Sequence, residues 1–133
     1  MKPINFALLL AGGLSAWTSA GSAQSLQPGA IWTSQRGSTL TIETIAGDGS
    51  FTGSYINRAA AMPCPNSPFK VSGWIDGQKI SFSVRWRNAT NDCHSIASWT
   101  GYVSDQLIHA EFALIYVNRQ GKPAFSNGKD TFH

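Results

Sequence analysis

The chain has 133 residues, of which 42% are hydrophobic and only 13% charged, with a net charge of +3. That length builds one ordinary domain and not two. Its Lys and Arg residues are scattered singly along the chain, which excludes the basic stripe of a nucleic-acid binder.

Residues 1–23 read as an export signal. Met1-Lys2 supplies a positive start, Phe6 to Leu14 an apolar stretch, and Gly21-Ser22-Ala23 a small-residue cleavage site before Gln24. The apolar run is interrupted by Gly12-Gly13 and falls short of the roughly 20 residues a membrane span requires, so no membrane partner is expected. The mature domain then runs from 24 to 133, in a secreted or periplasmic setting.

From there the chain shows strand periodicity and no helical periodicity. Taken in order, the predicted strands are Ala30 to Ser34, Ser38 to Ile45, Phe51 to Arg58, Phe69 to Ile75, Gln78 to Trp86, His94 to Val103, Leu107 to Val117 and Phe125 to Phe132. Ala46-Gly47-Asp48-Gly49 and Asp76-Gly77 are hairpin turns, because they supply residues tolerant of positive φ. Eight sequential strands on short loops predict an all-β fold, an eight-stranded antiparallel up-and-down β-barrel. Closure removes the edges that an open sheet would expose. A two-sheet sandwich is the alternative.

Cys64 and Cys93 are the only cysteines. An exported chain meets an oxidising compartment where an even pair closes, so a Cys64 to Cys93 disulfide is expected. A metal site or a redox pair would need closer Cys or His spacing. The longest irregular stretch, Ala59 to Pro68, holds three prolines and Cys64, and reads as a flap tied down by that disulfide.

Period-2 geometry sorts inward from outward side chains. Phe82, Val84 and Trp86 share the inner face of the fifth strand, and Ser81, Ser83 and Arg85 the outer. If Trp99 is buried, Cys93, Ser95 and Ala97 turn inward with it; Tyr55, Asn57 and Ala59 form the matching set on the third strand. A buried unpaired polar group costs about 1 to 3 kcal/mol, and a small polar ligand is one way to supply partners for these. Taken alone, Trp86 and Trp99 also fit ordinary core aromatics, Asp130 an exposed strand-edge carboxylate, and Arg36 a solvated loop residue.

Catalysis finds no support. His94, His109 and His133 do not cluster at metal spacing, there is no Gly-x-Ser-x-Gly elbow, and no phosphate-cradling glycine loop opens a helix. The expected activity is binding without chemistry. An exported barrel that inhibits a protease through Gln24 to Gly29 is a different possibility, and it would not need inward Ser95, Asn57 and Asp130.

The segments Gly53-Ser54-Tyr55-Ile56-Asn57-Arg58-Ala59, Pro65-Asn66-Ser67-Pro68-Phe69, Ser95 through Gly101 and Asp130-Thr131-Phe132 together resemble the avidin and streptavidin family. The likeness is greatest to its dimeric, disulfide-containing, rhizavidin-like branch. Streptavidin is itself a stock example of an eight-stranded barrel holding one small ligand. The resemblance implies biotin as a bound ligand, with no cofactor. It matches Ser38 and Tyr55 to donors for the ureido oxygen, and Asp130 and Asn57 to partners for the ureido N–H groups. Trp86 and Trp99 match the aromatic walls, Ser95 and the flap at Ala59, Ala60 and Ala61 the place of the tail carboxylate, and Leu114 a further pocket contact.

Several positions depart from the family pattern. Ser34 stands where an Asn is common, Ala97 where a Thr lies near the ligand sulfur, Phe112 where a third Trp is usual, and Arg36 where the residue is small or apolar. A lost neutral hydrogen bond costs about 0.5 to 1.5 kcal/mol, so the resemblance implies biotin binding below the family's best, or another ring of similar shape. No Trp lies between Asn118 and Asn127 to cap a neighbour's pocket, and the resemblance therefore implies a homodimer.

Overall fold

The computed structural model of the protein describes residues 13–14, 25–60, 64 and 66–133. Apart from Gly13 and Leu14, the export signal lies outside the described residues, and so does Ala61. Eight antiparallel strands follow one another in a single sheet, each paired with its neighbours in the chain. They are β1 (Ile31–Thr33), β2 (Thr39–Ile45), β3 (Ser50–Ile56), β4 (Pro68–Asp76), β5 (Lys79–Arg87), β6 (Asp92–Ser104), β7 (Leu107–Val117) and β8 (Pro123–Phe132). All eight predicted strands are present, shifted by a residue or two at their ends.

The sheet curls until its two edges meet. Thr33 N–H donates to the His133 carbonyl at 2.8 Å, His133 N–H returns to Thr33 at 2.9 Å, and Gln35 N–H donates to Thr131 at 3.0 Å. A β-bridge between Ser34 and Phe132 lies within this seam. The edge donors and acceptors of β1 and β8 therefore satisfy each other, the physical reason that favoured a barrel over a sandwich.

Alternation along the strands selects the interior. Ile80, Phe82, Val84 and Trp86 on β5 are buried, and so are Ala97 and Trp99 on β6. Trp32, Leu40, Ile42, Phe51, Phe82, Ile108 and Phe132 are among the buried side chains of one continuous core. Phe82 stacks on Trp99 at 4.9 Å between ring centres, so the core ends against an aromatic layer that faces the site.

Turn chemistry departs from the expectation in one place. Gly49 and Gly77 take positive φ in the two foreseen hairpins, but the β6–β7 turn places Asp105 at φ 52° and Gln106 at φ 64°. Two consecutive left-handed residues make a tight hairpin that matches strand twist, here without glycine.

The third strand also ends earlier than Arg58. Arg58 N–H donates to the Ser38 hydroxyl at 2.9 Å and Ala59 N–H to Asn57 Oδ1 at 3.0 Å, so side chains take the bonds a strand ladder would have used. Asn57 is thus the first residue of the flap.

Candidate functional site

Beyond the aromatic layer the interior opens into a hollow of about 50 Å³, lined by Ser34, Arg36, Ser38, Tyr55, Asn57, Ala59, Trp86, Ala97, Trp99, Phe112, Leu114 and Asp130. A second cavity of about 320 Å³ shares Asn57, Trp86 and Leu114 with it and adds Ser95 and both cysteines. Residues from five of the eight strands and from two connections therefore converge on one space. Of the residues singled out in the sequence, Ala60 is exposed and lines neither cavity.

The polar groups are held by an ordered set of bonds. Asp130 on β8 is 5% exposed. Its Oδ2 accepts from Trp99 Nε1 at 2.8 Å, and its Oδ1 from Gln35 Nε2 at 3.1 Å. Gln35 also donates to the Lys129 carbonyl at 3.1 Å and accepts from Thr131 N–H at 2.9 Å, which clamps the β1–β2 connection onto β8. The carboxylate stays in place because its donors are themselves fixed.

Donors line the same hollow. The buried Ser34 hydroxyl oxygen accepts from Ser38 N–H at 3.1 Å and Arg36 N–H at 3.3 Å, which leaves its own proton to give. Ser38 donates to Asn57 Oδ1 at 3.3 Å. Burial is the main cause that holds the Tyr55 phenol protonated, well above its ordinary pKa, and Tyr55 is therefore a neutral O–H at any physiological pH.

The Asn57 amide is engaged at one end only. Its Oδ1 already accepts from Ser38 and Ala59, whereas its buried Nδ2 has no partner. That network fixes which end of the amide faces the hollow. The unsatisfied group of Asn57 is therefore a donor, whereas the family resemblance implied a partner for a ring N–H. Trp86 Nε1 is likewise buried and unpartnered.

The aromatic walls stand at steep angles to each other. Trp86 meets Trp99 at 6.4 Å and 68°, and Tyr55 meets Trp86 at 5.6 Å and 82°. A register shift helps place Trp86. Between the pairs Arg85↔Ile96 and Arg87↔Asp92, Trp86 alone faces Cys93, His94 and Ser95. Such irregularities re-aim side chains near sites. Here the shift carries Ser95 into the second cavity and brings Cys93 to Cys64, with the Cα atoms of the disulfide 6.2 Å apart.

Two residues of the β1–β2 connection complete the site. Arg36, which taken alone fits a solvated loop residue and by the resemblance replaces a small or apolar residue near the pocket entrance, lines the hollow, with its Nε 3.8 Å from Asp130 Oδ1 and its guanidinium 5.3 Å from the Phe112 ring centre. Gln35 carried no pattern of its own. Both sit beside Ser34 in the same connection, and proximity to that candidate was the available signal. Among the described residues no group of three His, Cys, Asp or Glu side chains could hold a metal ion.

The family model described as the avidin family matches residues 22–133. Afifavidin of Afifella pfennigii is 38% identical over 107 residues, which are 76% of this chain and 65% of that protein. Hoefavidin of Hoeflea phototrophica is 36% identical over 87 residues, 61% of this chain and 52% of that protein. This chain thus spans between half and two thirds of the length of those two relatives. Among solved structures, a shwanavidin variant in complex with biotin superposes with a TM-score of 0.76 at 42% identity, covering 83% of this chain and 97% of that one. The rhizavidin–biotin complex gives 0.74 at 38% identity, covering 80% and 90%.

Proposed function

This chain belongs to the avidin family, within its rhizavidin-like branch, and on that premise we propose that its pocket binds biotin without catalysing a reaction. The observation that carries the reading is the convergence of Asp130, a carboxylate acceptor, with the polar groups of Ser34, Tyr55 and Asn57 on one hollow walled by Trp86 and Trp99. A cyclic urea carries complementary groups, with N–H on one side and a carbonyl oxygen on the other. Polarisation between the carboxylate and the donors strengthens each bond in such an array. The second cavity, with Ser95 and Asn57 on its wall, extends from the hollow and fits an aliphatic tail ending in a polar group.

Isothermal titration with biotin, paired with thermal unfolding with and without it, tests the reading. A one-to-one heat and a rise in unfolding temperature are expected, since a ligand held only by the folded state stabilises that state. No heat and no rise at saturating biotin would remove biotin as the ligand. The affinity is proposed to lie below the family's best, because Ser34 and Phe112 are shorter than the residues they replace and Ala97 lacks a hydroxyl.

Export with removal of residues 1–23, to the periplasm or beyond, is part of the same proposal, supported by the sequence pattern and by the disulfide. So is a homodimer. On the outer face Ile96, Ile115 and Phe125 stand side by side across β6, β7 and β8, and Phe125 is 80% exposed. With Val117 beside them they form an apolar row of the kind that a partner covers. Sedimentation of Phe125→Glu against the parent chain tests it. A shift from dimer to monomer is expected, and an unchanged dimer places the interface elsewhere.

A further inference from the structure

Arg36 and Asp130 are the only charged side chains lining the hollow among the described residues. At 3.8 Å the pair is too long for a hydrogen bond, so Arg36 is held by charge and by its seat on Phe112. Gly128, paired with Phe112, makes that seat possible. A Cβ there would come within 3.0 and 3.1 Å of the Phe112 ring and 3.9 Å of the Arg36 guanidinium.

An ionised carboxylate has about four acceptor sites. Trp99 and Gln35 occupy two of them, and the charge of Arg36 covers the Oδ1 side. The hollow itself is small, about 50 Å³, and Arg36 stands on its wall. The Arg36 side chain is 48% exposed and has the freedom to withdraw; the buried Trp99 does not.

We infer that Arg36 is a specificity-determining residue that caps Asp130 in the free protein and must be displaced by a ring N–H of the ligand. This role rests on the biotin reading of the pocket. Ligands that bond Asp130 through N–H bind against the competition of Arg36, and its charge, more than its bulk, sets the penalty.

The test titrates biotinamide, whose uncharged tail has no Coulomb attraction for Arg36, into the parent chain, Arg36→Met and Arg36→Lys, at low and at high salt. Met keeps most of the length of the side chain without its charge. Arg36→Met is expected to bind about three- to tenfold tighter than the parent at low salt, the size of a half-exposed ion pair with a cation–π contact. That advantage shrinks at high salt, where screening already loosens the cap in the parent chain. Arg36→Lys stays near the parent. Equal binding by all three proteins, or weaker binding by Arg36→Met, would overturn the role of Arg36 while leaving the pocket reading intact. Absence of binding by all three would overturn the pocket reading and this role together.

Discussion

The indole N–H of Trp99 on β6 donates to the buried carboxylate of Asp130 on β8 at 2.8 Å, across the whole width of β7. One wall of the hollow and its acceptor charge are therefore a single unit. A hydrogen bond to a charged group is worth about 1.5 to 3 kcal/mol. Asp130→Asn is accordingly expected to weaken biotin binding by about ten- to a hundredfold in calorimetry. Because the two side chains share a bond, Trp99→Phe combined with Asp130→Asn should cost less than the sum of the single changes. Strict additivity would count against a shared unit.

Asn57 offers a second discriminating substitution. Its oxygen is engaged and its amide nitrogen is unpartnered, so an N–H is the group it has left to offer. Asn57→Asp should bind biotin more weakly than Asn57→Ala, because a carboxylate there would face the ligand's carbonyl oxygen. Titration of both variants decides the matter. Equal or better binding by the Asp variant would mean that position 57 accepts from a ring N–H.

Tyr55 makes stability depend on alkaline pH. Its folded pKa is raised above the unfolded value of about 10, chiefly by burial, so its contribution is fully present below about pH 10 and is lost as pH rises beyond it. Urea unfolding between pH 9 and 11.5, expressed as roughly 1.4 kcal/mol per pH unit at most for one proton, should show this decline. Tyr55→Phe should remove that share of the slope while lowering stability near neutrality. An identical slope in both proteins would assign it to other groups.

The disulfide closes a loop with a sequence separation of 29 between Cys64 and Cys93. On the chain-entropy account its removal costs about 3 to 4 kcal/mol. Chemical denaturation of the double Ser variant should show that loss, and biotin titration should show a further loss of affinity, because both cysteines line the second cavity. Unchanged affinity in the folded variant would show that the flap holds its place without the bridge.

The architecture was legible because strand periodicity is local. Phe82, Val84 and Trp86 alternate with Ser81, Ser83 and Arg85 in sequence, and the same alternation divides interior from exterior. The aromatic and hydroxyl members of the site were legible for the same reason, and through the family likeness. What escaped depends on partners far along the chain. The clamp of Gln35 is made with Lys129, Asp130 and Thr131, the cap of Arg36 with Asp130 and Phe112, and the donor orientation of Asn57 with Ser38. The turn at Asp105-Gln106 escaped because neither residue is glycine and only the observed φ angles disclose its type.

Seven of the junctions between strands join chain neighbours and can zip up locally, whereas the meeting of Thr33 with His133 joins opposite ends of the described domain. Long-range closure of this kind bears the largest entropy cost and comes late in assembly. Asp130 and Gln35 lie along that final fastening. Recognition is thus switched on by the last stitch of folding, and a bound guest would act as a bolt across it, slowing amide exchange at Thr33, Gln35 and Thr131 before anywhere else.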